Sequence, residues 1–449
     1  MTILFQAILE NAELQRLVMS ACELGSLQLL RCSRQCKDAG ASFAGLRKRD
    51  QIKLKECKAN FFVYSVAGDC VDPQGFFEDD NCLERYDIER NLWETMSPLP
   101  HQGQVAAIAH LQKHIYVMGL CRRLRFTDHF GIGFRDSFLN WFGRYDVEKD
   151  VWEELGLLPS LLGGDRLFAP KAAVALQDSI YVASQFYILK YTPSSGEWRV
   201  LRDCRNLARS STWGPAFKML SLGGCLYIFY FQPGQPCERF KPHTGRFEQL
   251  PPLPCQRSRA AACRDGKVRA VGTRIVILTT GPEDWNPGGL GSCWSFDTHG
   301  GGGWVEGPQA TIPRRLAEVA ALQGSLYVLK GMYREDVDEE EFEVTDAERL
   351  TFRGGQSVWE PVPGTNFGGG GGIAVVEDLC SMISIGGVDG EDEDAPAYSA
   401  VELLRVVPHR RDQHGTWQRG TPVPTPRRLA KLVVVRFPCD VEASARLDM

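Results

Sequence analysis

Seven arginines stand in four groups along the chain: Arg209, then Arg257 with Arg259, then Arg314 with Arg315, then Arg427 with Arg428. Each group precedes a stretch rich in alanine, valine or leucine. Guanidinium groups gathered at one place would capture carboxylate or phosphate in a bidentate way. Other side-chain chemistry is sparse. Eight histidines are dispersed, and His409 and His414 share a polar stretch without cysteine or paired carboxylates. No CxxC, HExxH or P-loop spacing occurs, and Gly131-Ile132-Gly133 lacks the third glycine of a dinucleotide fingerprint. The glycine runs at 300–303 and 368–372 lack the Lys-Ser/Thr that a phosphate loop needs. The expectation is a binding protein with no catalytic residues, no metal and no cofactor.

The elements that must position those arginines repeat. Aromatic pairs recur as Tyr86 with Trp93, Tyr145 with Trp152, Tyr191 with Trp198, Phe240 with Phe247 and Phe296 with Trp304. Two degraded units follow, Leu350 before Trp359 and Leu404 before Trp417. An apolar strand centred at 64, 116, 181, 227, 276, 327 and 383 accompanies each pair, at intervals of 46 to 65 residues. That spacing fits four-stranded propeller blades of about 40–50 residues with insertions. Short alternating or apolar runs bounded by Gly, Pro and Asp argue for strands, so the repeat is all-β.

Innermost strands are expected at 105–108, 172–175, 217–220, 260–262, 319–321, 373–376 and 432–435, where small residues suit a crowded axis. The first unit opens on its second strand, and the chain's last strand has nothing after it. Pairing 431–435 with 63–66 completes one blade and removes two free edges.

Taken together, the Tyr, Trp and strand pattern resembles the kelch-repeat β-propellers. The family's double glycine survives as Gly386-Gly387, while other units read Ala67-Gly68, Gly119-Leu120, Ser184-Gln185 and Lys330-Gly331. The resemblance implies a seven-bladed propeller, with six blades the alternative count, in which the repeated aromatics pack the blades. Some related propellers are enzymes, but the convergent His, Tyr and Cys or carboxylate set such chemistry needs is not readable here.

The chain divides into a helical segment at 1–48, a basic linker at 49–58, the propeller at 59–438 and a polar tail at 439–449. In the helical segment Leu14, Leu17, Val18 and then Leu27 and Leu30 give two amphipathic helices broken at Gly25-Ser26. Residues 14–41 resemble an F-box, though the Leu-Pro opening is missing. That resemblance implies a Skp1-type adaptor and a cullin ubiquitin ligase as partners, with those five apolar residues docking the adaptor. The alternative is a helical pair that packs on the propeller.

Strand parity places the connections between second and third strands, and those between blades, on one face. The insertions at 69–81, 121–141, 281–292, 332–346 and 388–400 all fall there, so that face is expected to bind a protein or peptide. The arginines would ring the channel mouth on the same face, either reading an anion or pairing with the acidic residues near 335–341 and 389–394. A net charge of −5 gives no general attraction to nucleic acid or membrane. No apolar run reaches the ~20 residues of a membrane span. Fifteen scattered cysteines and no secretory signal point to a cytoplasmic or nuclear protein with reduced thiols.

Overall fold

The computed structural model describes residues 60–71, 77–128, 131–159, 170–184, 186–204, 217–230, 236–253, 266–278, 292–300, 302–312, 314, 317–333, 342–353, 356–366, 371–386, 400–406, 415–428 and 430–437. The expected helical segment, basic linker and tail lie outside them. Two units are distinguished: Phe61–Val375 with Cys380–Val435, and a second comprising Met1–Asn60, Val376–Leu379 and Arg436–Met449. In the second, a 3-10 turn covers Glu377–Leu379, and Arg436 lies 3.6 Å from Asp378.

The first unit is a seven-bladed β-propeller. Six blades each take four antiparallel strands in chain order, innermost first, the sixth with a separate two-stranded hairpin, Met332–Tyr333 and Phe342–Glu343, between its second and third. The second blade is Gln104–Leu111, His114–Asp128, Gly131–Asp146 and Val151–Leu157. The third is Ala172–Leu176, Ser179–Ala183, Tyr187–Thr192 and Glu197–Asp203, and the fourth Phe217–Leu222, Cys225–Tyr230, Pro236–Lys241 and Arg246–Pro252. The fifth comprises Lys267–Val271, Arg274–Leu278, Cys293–Asp297 and Val305–Glu306. The sixth has Glu318–Leu322, Ser325–Leu329, Ala347–Arg353 and Gln356–Val362. The seventh has Gly372–Val376, Ser381–Ile385, Val401–Arg405 and Gln418–Arg419. The first blade borrows from both ends of the chain: Lys431–Phe437 pairs with Asn60–Val71, which continues to Phe77–Asp87 and Leu92–Met96. The ring is closed as expected.

One inner strand is corrected. The fifth blade enters on Lys267–Val271, not on 260–262, which lies outside the described residues. Gly272 at φ 61° makes the turn into Arg274–Leu278, and a hairpin this tight requires its first strand to end directly before the turn. Three expected insertions are also partly strand: in that at 332–346, Met332–Tyr333 pairs with Phe342–Glu343. Residues 121–139 continue the second blade's middle strands as a paired ribbon running to Asp128↔Gly131, and Gly68–Val71 pairs with Phe77–Asp80 in the first blade.

Each apolar core layer lies between neighbouring blades. Tyr116, Met118 and Phe142 pack on Ile180, Val182 and Tyr191, and Tyr327 and Leu329 pack on Met382, Leu404 and Trp417. Both faces of a blade are therefore covered, which is why its second strand is apolar without alternation, as in the fully buried Ser179–Ala183. The double-glycine backbone outlives the glycines. Ala67 and Lys330 adopt left-handed φ values of 48° and 55°, beside Gly119 at 68° and Gly386 at 71°. The buried Lys330 also donates its Nζ to the Gly386 carbonyl of the next blade at 3.1 Å.

Candidate binding face

Three repeated devices fix the connections that lead to the arginines. The first is the aromatic pair. Tyr86↔Trp93, Tyr145↔Trp152, Tyr191↔Trp198, Phe240↔Phe247 and Leu350↔Trp359 are direct cross-strand partners. The paired rings sit 4.7–5.2 Å apart, and Phe296 and Trp304 lie 5.4 Å apart. Their indoles also reach out of the blade. Trp152 Nε1 donates to Ser97 O at 2.8 Å, Trp304 to Pro251 O at 3.0 Å, Trp359 to Pro308 O at 2.9 Å and Trp417 to Pro363 O at 3.0 Å. Trp93 makes the same bond to Thr421 O at 2.8 Å across the junction where the chain's ends meet. Each acceptor lies at or just beyond the end of the preceding blade's outer strand, so outer strands are linked end to start around the rim.

A second device uses buried carboxylates. Glu84, Glu348 and Glu402 occupy equivalent places in their blades' third strands, and each is 1% exposed. A carboxylate so buried must be fully hydrogen-bonded or it is costly. Glu348 accepts from Thr311 N at 2.9 Å, Thr311 Oγ1 at 2.6 Å and Ile312 N at 3.3 Å. Glu84 accepts from Thr425 N at 3.2 Å and Oγ1 at 3.0 Å, and Glu402 from Asn366 N at 3.0 Å. These partners all belong to the connection arriving from the previous blade. Arg314 follows Thr311 by three residues and Arg428 follows Thr425 by three, so the glutamates set where the arginine segments begin. Glu238, at the equivalent place in the fourth blade, instead pairs with Arg202 at 2.6 Å and accepts from Tyr230 OH at 2.5 Å.

The third device is a cross-blade row of Tyr, Arg and Glu. Tyr64, Arg85 and Glu94 are aligned across three strands, as are Tyr116, Arg144 and Glu153, Tyr227, Arg239 and Glu248, and Tyr327, Arg349 and Glu360. Arg85 pairs with Glu94, and Arg144–Glu153 and Arg349–Glu360 close to 2.6 Å. Burial opposes the charge on Arg85, but Glu94 and Tyr64 hold its pKa above the ordinary value.

The expected anion-reading arginines fare differently from one another. Arg314 is buried inside the sixth blade: its Nη1 donates to Lys330 O at 3.1 Å and Asp346 O at 2.6 Å, and its Nη2 lies 3.6 Å from Glu348. Burial pulls its pKa down, with Glu348 and Asp346 opposing. Its geometry braces the blade and does not present a guanidinium to a ligand. Arg427 and Arg428 form a short strand opposite Cys70 and Asp69, and Asp69 in turn faces Asp79. Their backbone thus lies along the acidic hairpin of the first blade. Arg209, Arg257, Arg259 and Arg315 lie outside the described residues, as do Leu14, Leu17, Val18, Leu27 and Leu30. Among the described residues no group of three or more His, Cys, Asp or Glu could hold a metal ion, and no helix is long and apolar enough to cross a membrane.

The glutamates were not among the expected site residues. For all but Glu402, which Leu403 follows, the signal is a Glu-Arg pair directly before the repeat aromatic or leucine, as in Glu84-Arg85-Tyr86, Glu238-Arg239-Phe240 and Glu348-Arg349-Leu350.

No family model matches the chain. Curated relatives do. Kelch repeat and BTB domain-containing protein 2 from Pongo abelii is 28% identical over 176 residues, covering 39% of this chain and 25% of its own length. Kelch-like protein 15 from Danio rerio is 23% identical over 272 residues, 52% of this chain and 42% of that one. Kelch-like protein 35 from Mus musculus is 30% identical over 123 residues, 27% of this chain and 18% of that one. The matches thus span less than half of each relative's length. The solved chain described as "Structure of YjhT" is 13% identical over 73% of this chain and 99% of its own, at a TM-score of 0.44. With seven four-stranded blades, the Tyr–Trp repeat, the retained doublet backbone and kelch proteins as its relatives, the chain is a kelch-repeat β-propeller.

Proposed function

We propose that the propeller is a protein-interaction module that reads a partner through the face bearing its long connections. The observation that carries this is the asymmetry of its turns. The described turns between the first two strands of each blade are short, such as Gln112-Lys113, Gln177-Asp178 and Gly223-Gly224, and most long connections fall on the opposite face, the main exception being residues 406–417 between the outer strands of the seventh blade. Loops held on a rigid scaffold are where binding residues concentrate. The buried glutamates support this by anchoring those connections. Arg209, Arg257, Arg259, Arg315, Arg427 and Arg428 are the residues we assign to contact with an acidic or mixed-charge peptide, with Arg314 bracing them. No chemistry is assigned, and the reading is of a binding protein, not an enzyme.

The finer reading is a substrate receptor. In it Leu14, Leu17, Val18, Leu27 and Leu30 dock a Skp1-type adaptor, and the propeller presents its partner to a cullin ligase in the cytoplasm or nucleus. The F-box resemblance of residues 14–41 favours it. A pull-down of full-length protein against one lacking 1–47, read by mass spectrometry, tests both levels. Adaptor and cullin recovered only with the full chain support the receptor. Shared prey without adaptor leaves a scaffold, and no specific prey in either sample contradicts the module itself.

A further inference from the structure

The inner strands all run from the interblade connections into the ring, so their first residues share one end of the channel. Three of these first residues are charged: Lys267, Glu318 and Lys431. Lys267 Nζ lies 3.9 Å from Glu318 Oε1. Lys431 lies near both. Burial lowers its pKa, the Glu318 charge raises it and the Lys267 charge lowers it further. Two residues into the fifth inner strand, ~7 Å deeper at ~3.3 Å per residue, is Arg269. Its Nε donates to Val319 O of the sixth inner strand at 2.8 Å and its Nη1 to Val268 O at 2.9 Å. Burial pulls its pKa down too, with Glu318 opposing.

Three cations therefore share one carboxylate in a chain whose net charge is −5. Among the described residues the Lys431 side chain makes no hydrogen bond or ion pair, and Arg269 Nη2 has no acceptor. Lys431 is exposed and Lys267 partly so; like charges gathered at one channel end repel one another, whereas an anion between them would offset that repulsion and satisfy the open donors. The excess of two positive charges matches a phosphate group, which carries about −1.5 to −2 at neutral pH. The donors also come from two different inner strands, Lys267 and Arg269 from one and Lys431 from the other, so a ligand between them would be approached from two sides.

We infer that the channel mouth is a phosphate site, formed by Lys267, Lys431 and the open Nη2 of Arg269, with Glu318 holding Lys267 in place. The phosphate could arrive as a free ion or on a phosphorylated side chain. The site is independent of the partner reading above: a protein that binds phosphate yet captures no partner upholds it.

The test is calorimetric titration of the full-length protein with inorganic phosphate and, separately, O-phosphoserine, at fixed ionic strength in chloride. We expect saturable binding, weakened about tenfold by Lys431→Met and by Lys267→Met, as for loss of one charge-assisted contact. Lys431→Arg should restore it, and Lys113→Met, on the opposite face, should not change it. Binding of O-phosphoserine alone assigns the site to a phosphorylated partner, while equal binding of both assigns it to the free ion. Thermal midpoints without phosphate establish that each variant is folded. No saturable binding of either ligand, or unchanged affinity in both folded methionine variants, overturns the inference.

Discussion

Two pairs of blade junctions solve the same problem with different residues. Where the seventh blade meets the first, Asn91 Oδ1 accepts from Thr421 N at 2.7 Å and from Tyr86 OH at 2.6 Å, while Thr421 Oγ1 donates to Asn91 O at 2.6 Å. Where the first meets the second, Asp150 Oδ1 accepts from Ser97 N at 2.8 Å and Tyr145 OH at 2.6 Å, and Ser97 Oγ donates to Asp150 O at 2.8 Å. Both residues sit two places before the repeat tryptophan at left-handed φ values of 54° and 55°. The third and fourth blades place Gly196 and Gly245 there, at 69° and 66°. Glycine takes this conformation without strain but brings no side chain to grip the neighbour. Asparagine and aspartate tolerate it and bring an acceptor. The ring spends backbone strain where the outer strands of the seventh and first blades, which come from opposite ends of the chain, meet. The junctions without this clasp are followed by the connections carrying Arg209, Arg257 and Arg259.

Opening the first blade, whose inner strand comes from the other end of the chain, should have the largest effect. Deleting 431–449 strips the first blade of its inner strand, exposes the edge of Asn60–Val71 and removes the buried Val433 and Val435. We expect loss of most of a typical stability of ~5–15 kcal/mol, with oligomers on size exclusion. A monomer with an unchanged thermal midpoint would show that the ends do not close the ring.

Smaller changes separate grip from strain. Asn91→Ala leaves a non-glycine residue in the left-handed region and orphans the Thr421 amide, for an expected loss of ~2–3 kcal/mol in denaturant unfolding. Asn91→Gly loses the grip but relaxes the backbone, so its loss should be ~1–2 kcal/mol. If alanine and glycine cost the same, strain plays no part. Gly196→Ala meets no atom within 4 Å yet should cost ~1 kcal/mol from its φ alone.

The two clasps also differ in pH response. Burial pushes the Asp150 carboxyl up, but hydrogen bonds from Tyr145 and Ser97 outweigh it and hold the pKa below its ordinary value. Its stabilisation is therefore complete above the unfolded carboxylate pKa and is lost as pH falls through the lower folded value. Asn91 does not titrate. Asp150→Asn should flatten the acid limb of the stability curve by a few tenths to ~1 kcal/mol, whereas Asn91→Asp should steepen it; identical acid limbs in all three proteins would remove the clasp from the account.

The propeller was legible because its signals are local and repeated. A Tyr and Trp seven residues apart, flanked by apolar strands, report blades, and an odd strand left at each end reports closure. The fifth inner strand was misplaced because alanines at 260–262 imitate the small-residue pattern, while the tight turn at Gly272 fixes the true strand at Lys267–Val271. The site was less legible because its geometry is set by distant partners. Glu84 holds Thr425 from 341 residues away. Arg314 reads as a free cation in sequence and becomes a brace only because Glu348 and two carbonyls from its own blade surround it. The clasp did leave a trace, Asn or Asp where other blades have Gly two places before the aromatic, but its partner is visible only once outer strands are set end to start.

The claim that the ring is locked where the chain's ends meet is tested most directly by native-state hydrogen exchange at the Thr421 amide. Its acceptor is the Asn91 side chain, so exchange reports that one contact. The account predicts strong protection in the wild type and exchange at least about tenfold faster in Asn91→Gly, with the Ser97 amide unaffected. A Thr421 amide that exchanges equally fast in both proteins would contradict it.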